Sequence, residues 1–303
     1  MGVKNLKPFL RSIGVKEEWK CYSSFSGKRI AVDAAYIVHK FKAVHPTDWT
    51  LLFMNFLKQC VFDNGIKMLF VFDGTAPPEK QREQELRVTK RDNFIKRHRE
   101  ILSICSAETQ LTDSEMKLLD AYKEKISQRE RIAPNLITQR MVKDFAQRRL
   151  ESQQAVTGYD YNQMRDILNG YAIPYEVAKS EGEMHCVKLV VDGRVDHILT
   201  VDSDAIVVSA LHGVQYVLTN FKGNKFCIID VLSVLTKCDL TPERFLDFCI
   251  LLGTDFNNHI RGIGYINAYK LIRANKNIEQ MTDVDTSQLG NYNRVREIYK
   301  NFG

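Results

Sequence analysis

No apolar run in this 303-residue chain approaches the roughly 20 residues needed to span a bilayer. The opening Met1-Gly2-Val3-Lys4-Asn5-Leu6 lacks the hydrophobic stretch of a signal peptide, and Leu6 breaks the myristoylation pattern. A secreted or integral membrane protein is therefore not expected. Glycine (16) and proline (7) are too scarce for a fibrous or disordered chain. The seven cysteines are scattered, odd in number and never spaced C-x-x-C. They read as reduced thiols in an intracellular protein without a thiolate zinc site. What remains is ordinary globular material, 44% hydrophobic and 26% charged, with enough length to bury a large core.

The net charge is only +6, but its placement is uneven. Residues 80–149 hold 17 Lys+Arg against 11 Asp+Glu, which is the whole excess. The head of that segment is sharper: Lys80, Arg82, Arg87, Lys90, Arg91, Lys96, Arg97 and Arg99 face only Glu83, Glu85 and Asp92. A lone charge run is usually a solvated helix face. A concentrated basic stripe is also the electrostatic footprint of a polyanion-binding surface.

Short β-branched and aromatic runs recur at Arg29-Ile30-Ala31-Val32-Asp33, residues 68–74, residues 175–178, residues 197–202, residues 214–218 and residues 226–229. Such runs suit strands buried on both faces. Helical spacing lies between them, at residues 49–62, 181–191 and 240–252. The alternation predicts an α/β fold with a mainly parallel central sheet flanked by helices, whose site gathers at the strands' carboxyl ends. From Lys80 to about Gln154 there is no strand-like run, no glycine and one proline, Pro134. That segment reads as two or three charged helices inserted into the α/β domain, with Thr112 and Glu115 as a capping box.

Three predicted strands end in aspartate: Asp33, Asp73 and Asp202, the last followed by Asp204. Ser180 is expected to cap a helix whose first turn carries Glu181 and Glu183. Each acid alone has a structural explanation, in a turn or at a helix N-terminus. Together they would share one edge of a parallel sheet. Six clustered carboxylates take up protons unless cations neutralise them. Oxygen ligands without His or Cys select Mg²⁺ or Mn²⁺, and two such ions about 4 Å apart hydrolyse phosphodiesters. Asp255 would be a seventh acid for the same cleft. Downstream, Gly262-Ile263-Gly264 opens a helix and offers backbone N–H groups to a phosphate.

These residues, in this order, resemble the flap endonuclease/XPG family of structure-specific 5′-nucleases. The resemblance rests on the opening Met1–Leu6, Ile30–Ala34, Phe70–Gly74 with Pro77-Pro78, Ala178–Glu183, Thr200–Asp204, Leu251–Asp255 and Arg261–Gly264. It implies a PIN-like nuclease fold in one domain: an N-block (1–79), a basic helical arch (80–154), an I-block (155–239), and a helix–two-turn–helix with C-terminal helices (240–303). It implies two Mg²⁺ or Mn²⁺ ions on Asp33, Asp73, Glu181, Glu183, Asp202, Asp204 and Asp255. Lys80 and Arg87 would act on the scissile phosphate, with Arg91 as the alternative register. Gly2, His39, Arg82, Lys90, Arg91, Gly262 and Gly264 would contact DNA, with K⁺ assisting at the helix–two-turn–helix.

The chain departs from the pattern at His39, where flap endonucleases carry a stacking tyrosine, with Tyr36 nearby. It also carries no sliding-clamp motif after the helix–two-turn–helix. The expected partner is DNA with 5′ single-stranded ends or junctions, met by a monomer in a nucleus or at a site of viral replication, with no membrane. A 5′-acting ribonuclease and a catalytically inactive DNA scaffold are the competing functions.

Overall fold

The computed structural model describes residues 2–107, 110–153 and 155–302, so Met1, Gln154 and Gly303, which begin or end expected segments, lie outside the described residues. In chain order the elements are α1 (Leu6–Ser12), β1 (Glu18–Cys21), β2 (Arg29–Asp33), α2 (Ala34–Val44), α3 (Trp49–Leu57) and β3 (Lys67–Phe72). Then follow α4 (Gln81–Ile104), α5 (Asp113–Glu130), α6 (Gln139–Glu151) and α7 (Gly158–Gly170). The rest comprises β4 (Tyr175–Val177), α8 (Gly182–Val191), β5 (His197–Leu199), α9 (Asp204–His212), β6 (Tyr216–Lys222), β7 (Lys225–Asp230), α10 (Val231–Cys238), α11 (Pro242–Leu252), α12 (Tyr265–Ala274) and α13 (Tyr292–Lys300).

One unit of the chain comprises residues 1–39, 50–83 and 158–303. It is built on a seven-stranded sheet in the order β1-β7-β6-β5-β2-β3-β4. Strands β4, β3, β2, β5 and β6 run parallel, and β7 and β1 add antiparallel at one edge. The parallel strands are apolar on both faces because helices cover both. On one face Ala31, Val71, Ile198 and Val217 join the core formed with Met184, Val187, Ile206 and Phe248. On the other, the Phe53 ring of α3 meets Phe70 of β3 edge-on at 5.6 Å, and Phe56 packs on Phe221 at 4.5 Å. This period-two division places successive strand residues on opposite faces.

The second unit, residues 40–49 and 84–157, contains the inserted helices. Ile101 of α4, Leu119, Tyr122 and Ile126 of α5, and Val142 and Ala146 of α6 form its own small core with Ile137. The Thr112 side chain and the Glu115 carboxylate cap each other's backbone N–H groups, the reciprocal box expected there.

Several boundaries differ from the sequence expectation. The strand expected over 197–202 stops at Leu199, and beyond it the Asp202 N–H donates back to the Thr200 hydroxyl at 3.1 Å in place of a ladder bond. The strand expected at 214–218 starts two residues later and runs to Lys222, as its hairpin with β7 extends it. Ser180 does not cap α8: Glu181 holds that position by its backbone, and the Ser180 hydroxyl is buried without a partner among the described residues. Among those residues no helix is long and apolar enough to cross a membrane.

Candidate active site

Parallel pairing brings the carboxyl ends of β2, β3, β4 and β5 to one edge of the sheet. Asp33 is the last residue of β2 and pairs in register with Val71, two residues before Asp73. Its carboxylate accepts from the Thr200 hydroxyl at 2.7 Å and from the Tyr36 N–H at 3.1 Å. Asp73 follows β3 and accepts from the Gly182 N–H at the start of α8, at 2.8 Å. A side chain at Gly74 would lie 2.1 Å from the Ala178 carbonyl oxygen. The loop after β3 can therefore approach the loop after β4 only because position 74 is glycine.

Glu181 and Glu183 enter from the start of α8, and the nearest ligand oxygens of Asp73, Glu181 and Glu183 all lie within 4.8 Å of one another. Asp204 begins α9, where its N–H donates to Asp202 at 3.1 Å, and the Tyr299 hydroxyl of α13 donates to its Oδ1 at 2.7 Å. Asp255 follows α11 in a loop ordered by the Thr254 hydroxyl donating to Asn257 at 2.7 Å.

The electrostatics tie the seven acids together. Burial pushes the Asp33 carboxyl up to about 7, and Asp73 adds to the shift. Glu183 and Asp204 are held well above the usual carboxylate range by burial and by Asp202. Glu181 and Asp202 are raised by burial, with Asp73 and Asp255 respectively adding repulsion. All except exposed Asp73 are buried. Glu183 Oε1 and Asp204 Oδ2 are buried with no partner among the described residues. Buried acceptors of that kind, in an all-carboxylate cleft, fit a hard divalent cation.

Lys80 is the counter-charge. It pairs with Glu181, and its Nζ lies 3.9 Å from Asp255. Burial works against its charge, but Glu183 and Glu181 outweigh it and hold the ammonium protonated more firmly than in water.

Gly2 belongs to the same place. A side chain there would lie 2.1 Å from Asp202 and 2.7 Å from Asp204, and its φ is +78°. The neighbouring Val3 N–H donates to Ser203 at 2.9 Å, so residues 202–204 are braced by the start of the chain.

The remaining expected residues lie elsewhere. His39 is exposed near the middle of α2, while Tyr36 is buried and donates to Asn220 at 2.9 Å. Tyr36 is thus tied to the sheet through Asn220. Arg82 is exposed and lines a cavity of about 590 Å³ with His259 and Arg261. Gly262 takes φ +77°, and side chains added at Gly262 or Gly264 would meet open space. Gly264 stands at the N-cap of α12. In the helical unit, Arg87 is half-buried on α4, and Lys90 and Arg91 are exposed. Sequence reasoning missed Thr200 and Tyr299, which hold Asp33 and Asp204 from 167 and 95 residues away. Thr200 lies in the Thr200–Asp204 segment of the family resemblance, which is the signal that could have found it, whereas Tyr299 carries no local signal.

Two family models match the chain: the XPG N-terminal domain over residues 1–94 and the XPG I-region over residues 172–255. A Frog virus 3 (isolate Goorha) protein named as a RAD2-like endonuclease is 34% identical over 93% of this chain and 78% of its own length. The solved catalytic core of Rad2 in complex with DNA substrate shares the fold at TM-score 0.60 and 21% identity, covering 92% of this chain and 70% of that one. Flap endonuclease-1 from Methanococcus jannaschii does so at TM-score 0.57 and 20% identity, covering 95% and 82%.

Proposed function

The chain belongs to the XPG family of structure-specific 5′-nucleases, and on that premise we propose that it hydrolyses DNA phosphodiesters at single-strand/duplex junctions, as a flap endonuclease or 5′→3′ exonuclease. The observation that carries this reading is the close group of Asp73, Glu181 and Glu183, coupled electrostatically to Asp33, Asp202, Asp204 and Asp255, with Lys80 paired to Glu181.

Asp33, Asp73, Glu181, Glu183, Asp202, Asp204 and Asp255 would hold two Mg²⁺ or Mn²⁺ ions. When bound, such ions supply an activated water and stabilise the leaving oxygen. The protein's own residues do the rest. Thr200, Tyr36, Gly182 and Tyr299 fix the carboxylates by hydrogen bonds, so little reorganisation is needed when charge develops. Lys80 would offer a cation to the non-bridging phosphate oxygens, and the family resemblance gives Arg87 the same role. Arg82, Lys90 and Arg91 would hold the strand by charge, and His39 would stack on a base. Gly2 would let the duplex approach the cleft closely. Gly262 and Gly264 would present N–H groups to the duplex backbone, with K⁺ balancing the phosphate there.

All seven acids are supplied by one chain, which supports a monomer as the working form. Its place of work would be inside the cell, wherever nuclear or viral DNA is copied or repaired. The test is a gel comparing flap, nick, gap, bubble and four-way junctions, in DNA and in RNA, with Mg²⁺ or Mn²⁺. Asp202→Ala should abolish cutting and leave DNA binding largely intact. A wild-type chain inactive on every DNA substrate overturns the proposal, and activity confined to RNA replaces its substrate.

A further inference from the structure

The helical unit carries a cavity of about 280 Å³ that the nuclease chemistry does not use. Its size is near the lower end of small-ligand sites, about 300–1,000 Å³, so it has room for one nucleotide rather than a run of them. One wall is a chain of rings. Phe94 stacks on His98 at 3.8 Å, His98 meets the Tyr122 edge at 5.5 Å, and Tyr122 meets Phe145 at 6.2 Å. Four cations line the rest, and no carboxylate does. Arg149 lies over Phe94 at 5.2 Å, Arg129 over Phe145 at 5.6 Å and Lys125 over Tyr122 at 5.9 Å, with Arg97 beside them.

Two observations go beyond aliphatic stems covering a small core. First, Arg97, Lys125 and Arg149 make no ion pair among the described residues, and Arg129 has only Glu130 at 3.9 Å. Burial lowers the proton affinity of His98, and Arg149, Arg97 and Lys125 add to the shift. Second, Tyr122 is 2% exposed, and its hydroxyl is buried without a partner among the described residues. A buried donor beside four cations, three of them without an ion pair among the described residues, calls for an anion, and half-buried rings call for a flat face.

We propose that this cavity binds a nucleoside 5′-phosphate, its base against Phe94 and Phe145 and its phosphate among the four cations and the Tyr122 hydroxyl. The ligand is either a free mononucleotide or the 5′-phosphorylated end of a single strand. The choice of a nucleotide over other aromatic phosphates rests on the nuclease reading.

Calorimetry on the full chain in EDTA, where no cutting occurs, tests it. Deoxyadenosine 5′-monophosphate should bind saturably at one site, at least tenfold tighter than deoxyadenosine or inorganic phosphate. Lys125→Gln with Arg149→Gln should weaken it tenfold or more, and Tyr122→Phe several-fold, with unchanged circular dichroism. Competition by a 5′-phosphorylated strand, but not by its 5′-hydroxyl twin, supports the strand end as the ligand; absence of competition supports the free nucleotide. No saturable binding, binding indifferent to these variants, or inorganic phosphate binding equally well overturns the proposal. Cutting with Mg²⁺ is scored separately. A wild-type chain that cuts but binds no nucleotide rejects the cavity alone, and one that binds the nucleotide but never cuts rejects the nuclease reading alone.

Discussion

Lys80 stands beside Glu181 and Glu183, both raised by burial, and near Asp255. Its pairing with Glu181 and its approach to Asp255 balance part of the cleft's charge. The same cation is placed to meet negative charge developing on a phosphate, and preorganised groups of this kind contribute about 10²–10³ in rate. Lys80→Ala should therefore slow single-turnover cutting of a flap substrate about 10²–10³-fold, with DNA affinity falling by much less. Rapid-quench kinetics beside a binding titration separate the two, and equal losses in both would mark Lys80 as a positioning group only. The Asp positions around it were legible because strand ends and helix starts are marked locally in sequence. The roles of Thr200 and Tyr299 were not, because a hydroxyl gains its meaning only from a carboxylate brought near by the fold.

Elements buried on both faces were the most legible. Strand β2 was read to the residue, and β3 and β7 to within one or two, because continuous apolar runs mark them. Strand β1 was missed, since its exposed and half-buried residues at the sheet edge show neither an apolar run nor alternation. The Ser180 cap was misread because local propensity lost to the packing of the loop against Asp73 and Gly74. By contrast, the Thr112–Glu115 box was legible, since both partners lie within four residues of each other. It satisfies N–H groups at the start of α5, whose side chains supply much of the helical unit's small core. Thr112→Ala should cost about 1 kcal/mol of that unit's local stability. Hydrogen exchange should then quicken across α5 and leave β2, β3 and β5 unchanged; equal quickening in the strands would show that the two units unfold together.

On the scale of the whole molecule, charge is segregated. The basic excess lies in residues 80–149, while the sheet's edge concentrates seven acids, six of them buried. That second group makes stability depend on pH with a definite sign. In the unfolded chain these carboxyls titrate near about 4. In the folded, metal-free chain Asp33 is pushed up to about 7 by burial, and Glu183 and Asp204 are raised in the same direction by burial and by Asp202. Between those limits these carboxyls hold protons in the folded state that the unfolded state has released, so their contribution to stability falls as pH rises, against the smaller opposite contribution of the lowered His98, His197 and His259. In EDTA the melting temperature should drop by about 5 °C or more between pH 5 and pH 8. A divalent cation neutralises the same oxygens only in their ionised form. Mg²⁺ or Mn²⁺ should therefore restore the melting temperature at pH 8 and do little at pH 5, with protons released on binding near pH 6. Differential scanning calorimetry across that range, with and without metal, checks the sign. A melting temperature that rises with pH in EDTA, or a metal effect independent of pH, would show that the raised carboxyls are not the cation's ligands.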